Sequence, residues 1–203
     1  MFENVLLPEI QNLLKKLKAT NLPPGSYLAG GTALALHLGH RRSVDLDFFA
    51  PEQFRETQWE QELEGALGFR SIQRDRQTII GLIGNVKFSL LGYKYKIIGR
   101  PTKFYNILVA SPPDIAAIKL DTLISRGAKR DFVDIYFLAQ KFSLPNLFKF
   151  YGRKYGNLEE RKIMIEKALI FFDDADRDEM PAMLVSVDWR KIKNWLRKAT
   201  LKL

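Results

Sequence analysis

The chain has 203 residues, 46% of them hydrophobic and 27% charged, which suits one good core, or a main domain with a smaller appendage, in an ordinary soluble globular protein. It has no cysteine, which excludes a disulfide framework, a thiolate metal site and a cysteine nucleophile; no apolar run reaches the ~18 residues of a membrane span, and residues 1–5 lack the basic-then-apolar order of a secretory signal, so a cytoplasmic protein with no membrane partner is expected. The formal net charge of +9 points to a polyanionic partner, RNA or an acidic protein, or to nothing more than a solvated basic surface.

In chain order, apolar side chains at Leu6, Ile10, Leu13, Leu14 and Leu17 with lysines between them predict a helix over Leu6–Thr20. The run from Asn21 to Gly25, with Pro23 and Pro24, breaks it. Tyr27 starts a short strand, Gly30 and Gly31 make a tight turn, and Thr32 opens a helix. A basic turn at Arg41 and Arg42 then leads into a second strand that ends at Ala50 and Pro51. Glu52–Leu67 reads as a helix stopped by Gly68. Phe69–Arg74, Gln77–Ile83 and Val86–Leu91 read as strands, the last two joined by a hairpin turn at Gly84 and Asn85. Lys96–Ile98 and Ile107–Val109 are further strand candidates, with Arg100 and Pro101 in loop between them.

Ser111 caps a helix whose first turn tolerates Pro112 and Pro113 and places Asp114 near the positive end of the dipole. That helix is expected to reach about Ser125, and Gly127 separates it from another over Lys129–Lys141. Leu144 and Pro145 break again, and helices follow near Asn146–Arg153, Leu158–Phe172 and Asp188–Ala199. Strands dominate the middle and helices the ends. The expected class is therefore α+β: a mixed β-sheet core with the N-terminal helix over residues 1–110, and a helical C-terminal part over 111–203 that completes the cleft.

The chemistry gathers between Tyr27 and Phe49. Asp45 and Asp47 are one residue apart, so both carboxylates point the same way on a strand and can share a hard cation such as Mg²⁺. Gly30 and Gly31 let backbone approach a bulky anion, and Thr32 opens a helix whose N-terminus favours phosphate. Taken alone, a glycine pair or an Asp-x-Asp is an ordinary turn or a solvated strand face. Here Val44, Leu46, Phe48 and Phe49 flank the acids, and carboxylates in a strand fit for burial need a cation or a hydrogen-bonding partner.

Gly30-Gly31-Thr32-Ala33-Leu34-Ala35-Leu36 followed by Arg42-Ser43 and Asp45-Leu46-Asp47-Phe48-Phe49 resembles the AbiEii-type toxin branch of the nucleotidyltransferase superfamily, of type IV toxin–antitoxin systems. Ile118-Lys119-Leu120, Arg126 and the run from Lys129 to Leu138 with Asp131 and Asp134 resemble that family's later motifs, so the resemblance covers about residues 25–140. It implies a nucleotidyltransferase-like sheet and an enzyme that uses an NTP and Mg²⁺ or Mn²⁺ to add nucleotides to an acceptor. In characterised members that acceptor is tRNA, and an antitoxin restrains the activity, usually without a stable complex. On this reading Asp45 and Asp47 hold metal; Gly30, Gly31 and Thr32 contact the triphosphate; and Arg41, Arg42 and Ser43 are nucleotide-binding candidates, the arginines being a phosphate clamp or a solvated basic turn. Lys119, Asp131 and Asp134 are catalytic candidates; a structural ion pair of Lys119 with Asp134 between helices is the lesser alternative, the family pattern favouring function.

One departure stands out. Nucleotidyltransferases commonly carry a third carboxylate on a later strand, as base for the acceptor hydroxyl, whereas the strand from Val86 to Leu90 has Ser89 and no acid. A serine is no comparable base at neutral pH. Either Asp131 or Asp134 substitutes, or the chain is a catalytically silent nucleotide-binding module that binds RNA or a protein. His37 is expected to pack within its helix. Tyr93, Lys94, Tyr95 and Lys96 read as a half-exposed edge strand or as a base-stacking surface. The basic residues around Trp189 and Trp195 suit either an RNA backbone groove or the polar face of a packing helix.

Overall fold

The computed structural model describes residues 1–17, 20 and 22–203. The expected N-terminal helix is present as α1 (Pro8–Leu17), burying Ile10, Leu13, Leu14 and Leu17; its expected end and the start of the following break fall on Lys18, Ala19 and Asn21, outside the described residues. Next come β1 (Tyr27–Leu28), α2 (Gly30–Leu38), β2 (Leu46–Ala50), α3 (Glu56–Leu67), β3 (Phe69–Asp75), β4 (Thr78–Ile83), β5 (Val86–Gly92), β6 (Thr102–Phe104) and β7 (Ile107–Val109). The helices α4 (Pro112–Arg126), α5 (Lys129–Phe142), α6 (Leu144–Tyr155), α7 (Leu158–Ile170), α8 (Asp173–Arg177) and α9 (Trp189–Thr200) complete the chain.

The seven strands form one mixed sheet in the order β3-β4-β5-β2-β1-β7-β6. β2 lies parallel to β5 and β1 parallel to β7, while the remaining pairs are antiparallel. Alternation assigns the two faces. Leu46, Phe48, Phe88 and Leu90 are fully buried in the core, on the face where Phe69 packs on Phe88 and α3 contributes Leu63. Asp47, Phe49, Ser89 and Leu91 lie on the other face. There Phe49 stacks on Tyr93, whose hydroxyl is 2.6 Å from that of Tyr155 on α6, so the helical part covers this face at one end only. This is the α+β architecture expected from the element pattern.

Several boundaries differ for identifiable reasons. Lys96–Ile98 is not a strand, because the Ile98 and Gly99 amides donate to the Asp114 carboxylate at 2.9 and 3.0 Å instead of to a ladder. The strand lies further on, at β6, which turns into β7 through Tyr105 and Asn106, both with positive φ. Nor do Tyr93 to Lys96 form an edge strand, since Tyr93 turns inward to Phe49 and Tyr155. Leu144 and Pro145 start α6 rather than separate helices, as proline is tolerated in a first turn. The short α8 and the strand β6 were not anticipated, and α3 begins at Glu56 rather than Glu52.

Candidate active site

The site starts at the crossing of α2 and β2. Gly30 has φ +65, and a Cβ there would sit 2.5 Å from Asp47 Oδ2. A side chain at Gly30 is therefore excluded twice, by left-handed backbone and by the carboxylate behind it. A Cβ on Gly31 would meet Arg41 Nη2 at 2.6 Å and Ser43 Oγ at 3.0 Å. The glycine turn thus lies directly against the acid of β2 and the basic turn before it. Asp45 falls one residue short of the assigned strand and stays part exposed, at 30%. The buried Thr32 hydroxyl donates to the Asp45 carbonyl, so Thr32 fixes the backbone that presents Asp45, and its own hydroxyl is already engaged.

Asp47 is in parallel register with Ser89. Burial pushes the Asp47 carboxyl up, the Ser89 hydroxyl partly offsets this, and the Asp45 charge raises it further. Two hard carboxylates one residue apart, one of them held where its charge is unfavourable, suit a divalent cation that takes one or two carboxylates and completes its shell with water and phosphate. The donor set fits such a group. Among the described residues no cluster of three metal-type side chains occurs, so other ligands would have to come from substrate and water.

Beneath the carboxylates lies a buried ion network. Asp134 is fully buried and accepts from Arg41 Nε at 2.7 Å and Nη2 at 2.8 Å, and from His40 Nε2 at 2.8 Å. Lys119 Nζ lies 2.6 Å from Asp134 Oδ2, the oxygen that also accepts from Arg41 Nη2, and 2.7 Å from Asp131. Asp131 also faces Arg126 at 3.2 Å. Burial by itself would raise the Asp134 carboxyl, but Arg41, Lys119 and the Arg41 and His40 hydrogen bonds hold it well below the usual carboxylate range. Arg41 is spent on a bidentate pair, whereas Arg42 is exposed. His37 Nε2 donates to the Ala110 carbonyl at 2.9 Å. The helix-borne acids are thus brought together with Lys119 and the basic turn in one network, Asp131 and Asp134 lying behind the cleft wall while Arg41, Lys119 and Arg126 line it.

The cleft encloses about 820 Å³. Its floor is Gly30, Gly31, Asp45 and Asp47, continued along the sheet by Phe49, Lys87 and Leu91; Lys119, Thr122 and Arg126 of α4 face it, and Arg130 of α5 stands 3.9 Å from Asp45. One wall was not anticipated: the segment 178–182 after α8. It is tied by backbone bonds, Arg42 N to Ala182 O at 2.8 Å and Leu184 N to His40 O at 2.9 Å, and by Asp178, which accepts from the Lys129 amide at 2.9 Å. Nothing in the side-chain pattern of Asp178–Ala182 announces this.

The sequence and the fold are both similar to those of known proteins. Residues 12–97 and 82–200 match the family described as Nucleotidyl transferase AbiEii toxin, Type IV TA system. An uncharacterised protein of Aquifex aeolicus (strain VF5) is 35% identical over 181 residues, 86% of each chain. The fold is shared with MenT4, a nucleotidyltransferase toxin of Mycobacterium tuberculosis H37Rv, at TM-score 0.59 and 16% identity over 96% of this chain and 82% of that one. It is shared also with the antibiotic-resistance factor ANT(2'')-Ia, at TM-score 0.57 and 15% identity over 78% and 93%. With both the glycine–Asp-x-Asp half and the helical half matched, the chain belongs to the AbiEii nucleotidyltransferase toxin family.

Proposed function

We propose that the protein transfers a nucleotidyl group from an NTP, with a divalent cation, to the hydroxyl of an RNA acceptor, tRNA being the acceptor the family resemblance implies, and that it acts as the toxin of a toxin–antitoxin pair. The observation that carries this reading is the contact of Gly30 with Asp47: backbone open to a triphosphate lies directly against a carboxylate pair suited to a cation. In the reaction an acceptor hydroxyl displaces pyrophosphate from the α-phosphorus, and negative charge builds on the phosphoryl oxygens. A Mg²⁺ or Mn²⁺ held by Asp45 and Asp47 would supply Lewis-acid stabilisation of those oxygens. Gly30 and Gly31 give the triphosphate its close approach, Ser43 lies beside Gly31, and Arg42, Arg126 and Arg130 bring positive charge to the cleft. Lys119 adds charge behind Asp47, while Asp131, Asp134 and Arg41 hold it and the basic turn rigid.

A second reading rests on Ser89. It stands in register with Asp47 where a third carboxylate would serve as base, and the buried Asp131 and Asp134 are committed to cations. A catalytically silent module that binds nucleotide and RNA, or a protein, is compatible with that. Calorimetric titration with each NTP in Mg²⁺, followed by a pyrophosphate-release assay on adding total tRNA, separates the two. Binding followed by release supports transfer; binding without release in any combination supports the silent module; no binding of any NTP contradicts both.

A further inference from the structure

The cleft floor does not stop at Asp47. In register, Asp47 lies beside Ser89, Ser89 beside Ile80, and Ile80 beside Gln73, a single row across β2, β5, β4 and β3. The adjoining row, on the Asp45 side, is Lys87, Leu82 and Arg70. Paired residues share a face, so both rows continue the face that carries Asp47. α3 leaves this face uncovered, since it packs where Leu63 meets the core and Glu60 pairs with Arg74, which is opposite the core residue Ile79. Accordingly Ile80 and Leu82 are only half-buried, and Arg70, Gln73 and Lys87 are exposed. The strip reaches three strand spacings from Asp47, about 14 Å.

Its chemistry is specific: aliphatic side chains in the middle, cations along one side, an amide at the far end, and a neutral serine where an acid would sit. Asp75, opposite Thr78 in the next row, is its acidic corner. A polycationic acceptor would find Lys87 and Arg70 repulsive, whereas a single strand of nucleic acid places phosphates on cations and bases on half-exposed apolar side chains. We propose that the open face of β3, β4 and β5 is the acceptor platform, holding the single-stranded 3′ end of an RNA so that its terminal hydroxyl arrives at Asp47. This rests on the transferase reading, because it takes Asp47 as the point of arrival. The strip is continuous with the candidate active site and complements the acceptor in charge.

The test uses the full chain and a short fluorescein-labelled single-stranded RNA ending in a 3′-deoxy nucleotide, titrated at several salt concentrations. Arg70→Glu and Lys87→Glu are each expected to weaken RNA binding by about tenfold, and the double variant to reduce the slope of log affinity against log salt by about 1.4, two phosphates at ~0.7 each. Arg70→Glu is expected to keep Mg²⁺–NTP affinity within about twofold of wild type, since it lies away from the nucleotide. Charge reversal of Lys191 and Lys198 on α9 serves as a control of equal charge and is expected to leave RNA affinity unchanged. The platform is overturned if wild type does not bind the RNA, or if the α9 reversals abolish binding while Arg70→Glu and Lys87→Glu do not. RNA bound on the strip with no transfer of nucleotide from any NTP keeps the strip as an RNA-binding surface and removes the transferase reading, and its role as acceptor platform with it.

Discussion

Gly30, Asp47 and Asp134 carry the site, each for a separate physical reason. Gly30→Ala must place a Cβ in left-handed backbone and against Asp47 Oδ2. It is expected to cost about 1–2 kcal/mol in a denaturation midpoint and to weaken NTP binding in calorimetry, and wild-type values in both would show the close approach to be unnecessary. Asp47 has its carboxyl pushed up by burial and by Asp45; an acid raised in the folded state costs stability as pH rises through the carboxylate range. Asp47→Asn is therefore expected to raise the melting temperature of the metal-free protein at neutral pH while removing cation-dependent nucleotide affinity, a trade of stability for function. Asp134 behaves oppositely. Its carboxyl is held well below the usual range, so its contribution is present above the ordinary carboxylate pKa and is lost as pH falls through the lower folded value. Asp134→Asn leaves Arg41 and Lys119 buried and under-compensated, which is expected to cost about 3–5 kcal/mol and to flatten the acid limb of the stability profile.

At the scale of elements, what local chemistry dictates was readable from sequence and what distant partners dictate was not. The turn at Gly30 and the carboxylates at Asp45 and Asp47 are joined by one short strand-turn-helix-strand, so spacing alone brings them together. The pairing of Arg41 with Asp134 spans 93 positions, and no local pattern distinguishes it from a phosphate clamp. Lys119 with Asp134 is an ion pair between α4 and α5, one of the two alternatives its apolar setting left open. β6 escaped notice because its turn places Tyr105 and Asn106 at positive φ, and only the asparagine advertises that conformation. The wall at 178–182 escaped because its ties are largely backbone bonds. They make a prediction at this scale: Asp178→Ala releases the Lys129 amide, and amide exchange at Arg42 and Leu184, which bond across this segment, is expected to quicken. Unchanged protection there would mean that the wall holds without Asp178.

Over the whole molecule, the sheet divides the work. One face is sealed by α3 and by the buried row of Leu46, Phe48, Phe88 and Leu90; the other is sealed by helices at one end and left open at Asp47 and beyond. The cleft lies where the open strip meets α4, and the network of Asp134, Lys119 and Arg41 locks the helices to the basic turn at that junction. The net charge of +9 is consistent with a polyanion lying across it. In the proposed function, Asp45 and Asp47 serve transfer of a nucleotidyl group. The most direct test of that role is single-turnover transfer of label from each NTP, labelled at the α-phosphate, to total tRNA in Mg²⁺, with wild type, Asp45→Asn and Asp47→Asn compared at matched folded fraction. Label is expected to enter RNA with wild type and to fall by at least about a hundredfold with either variant, whereas no label with any NTP, or an Asp47→Asn rate equal to wild type, would contradict it.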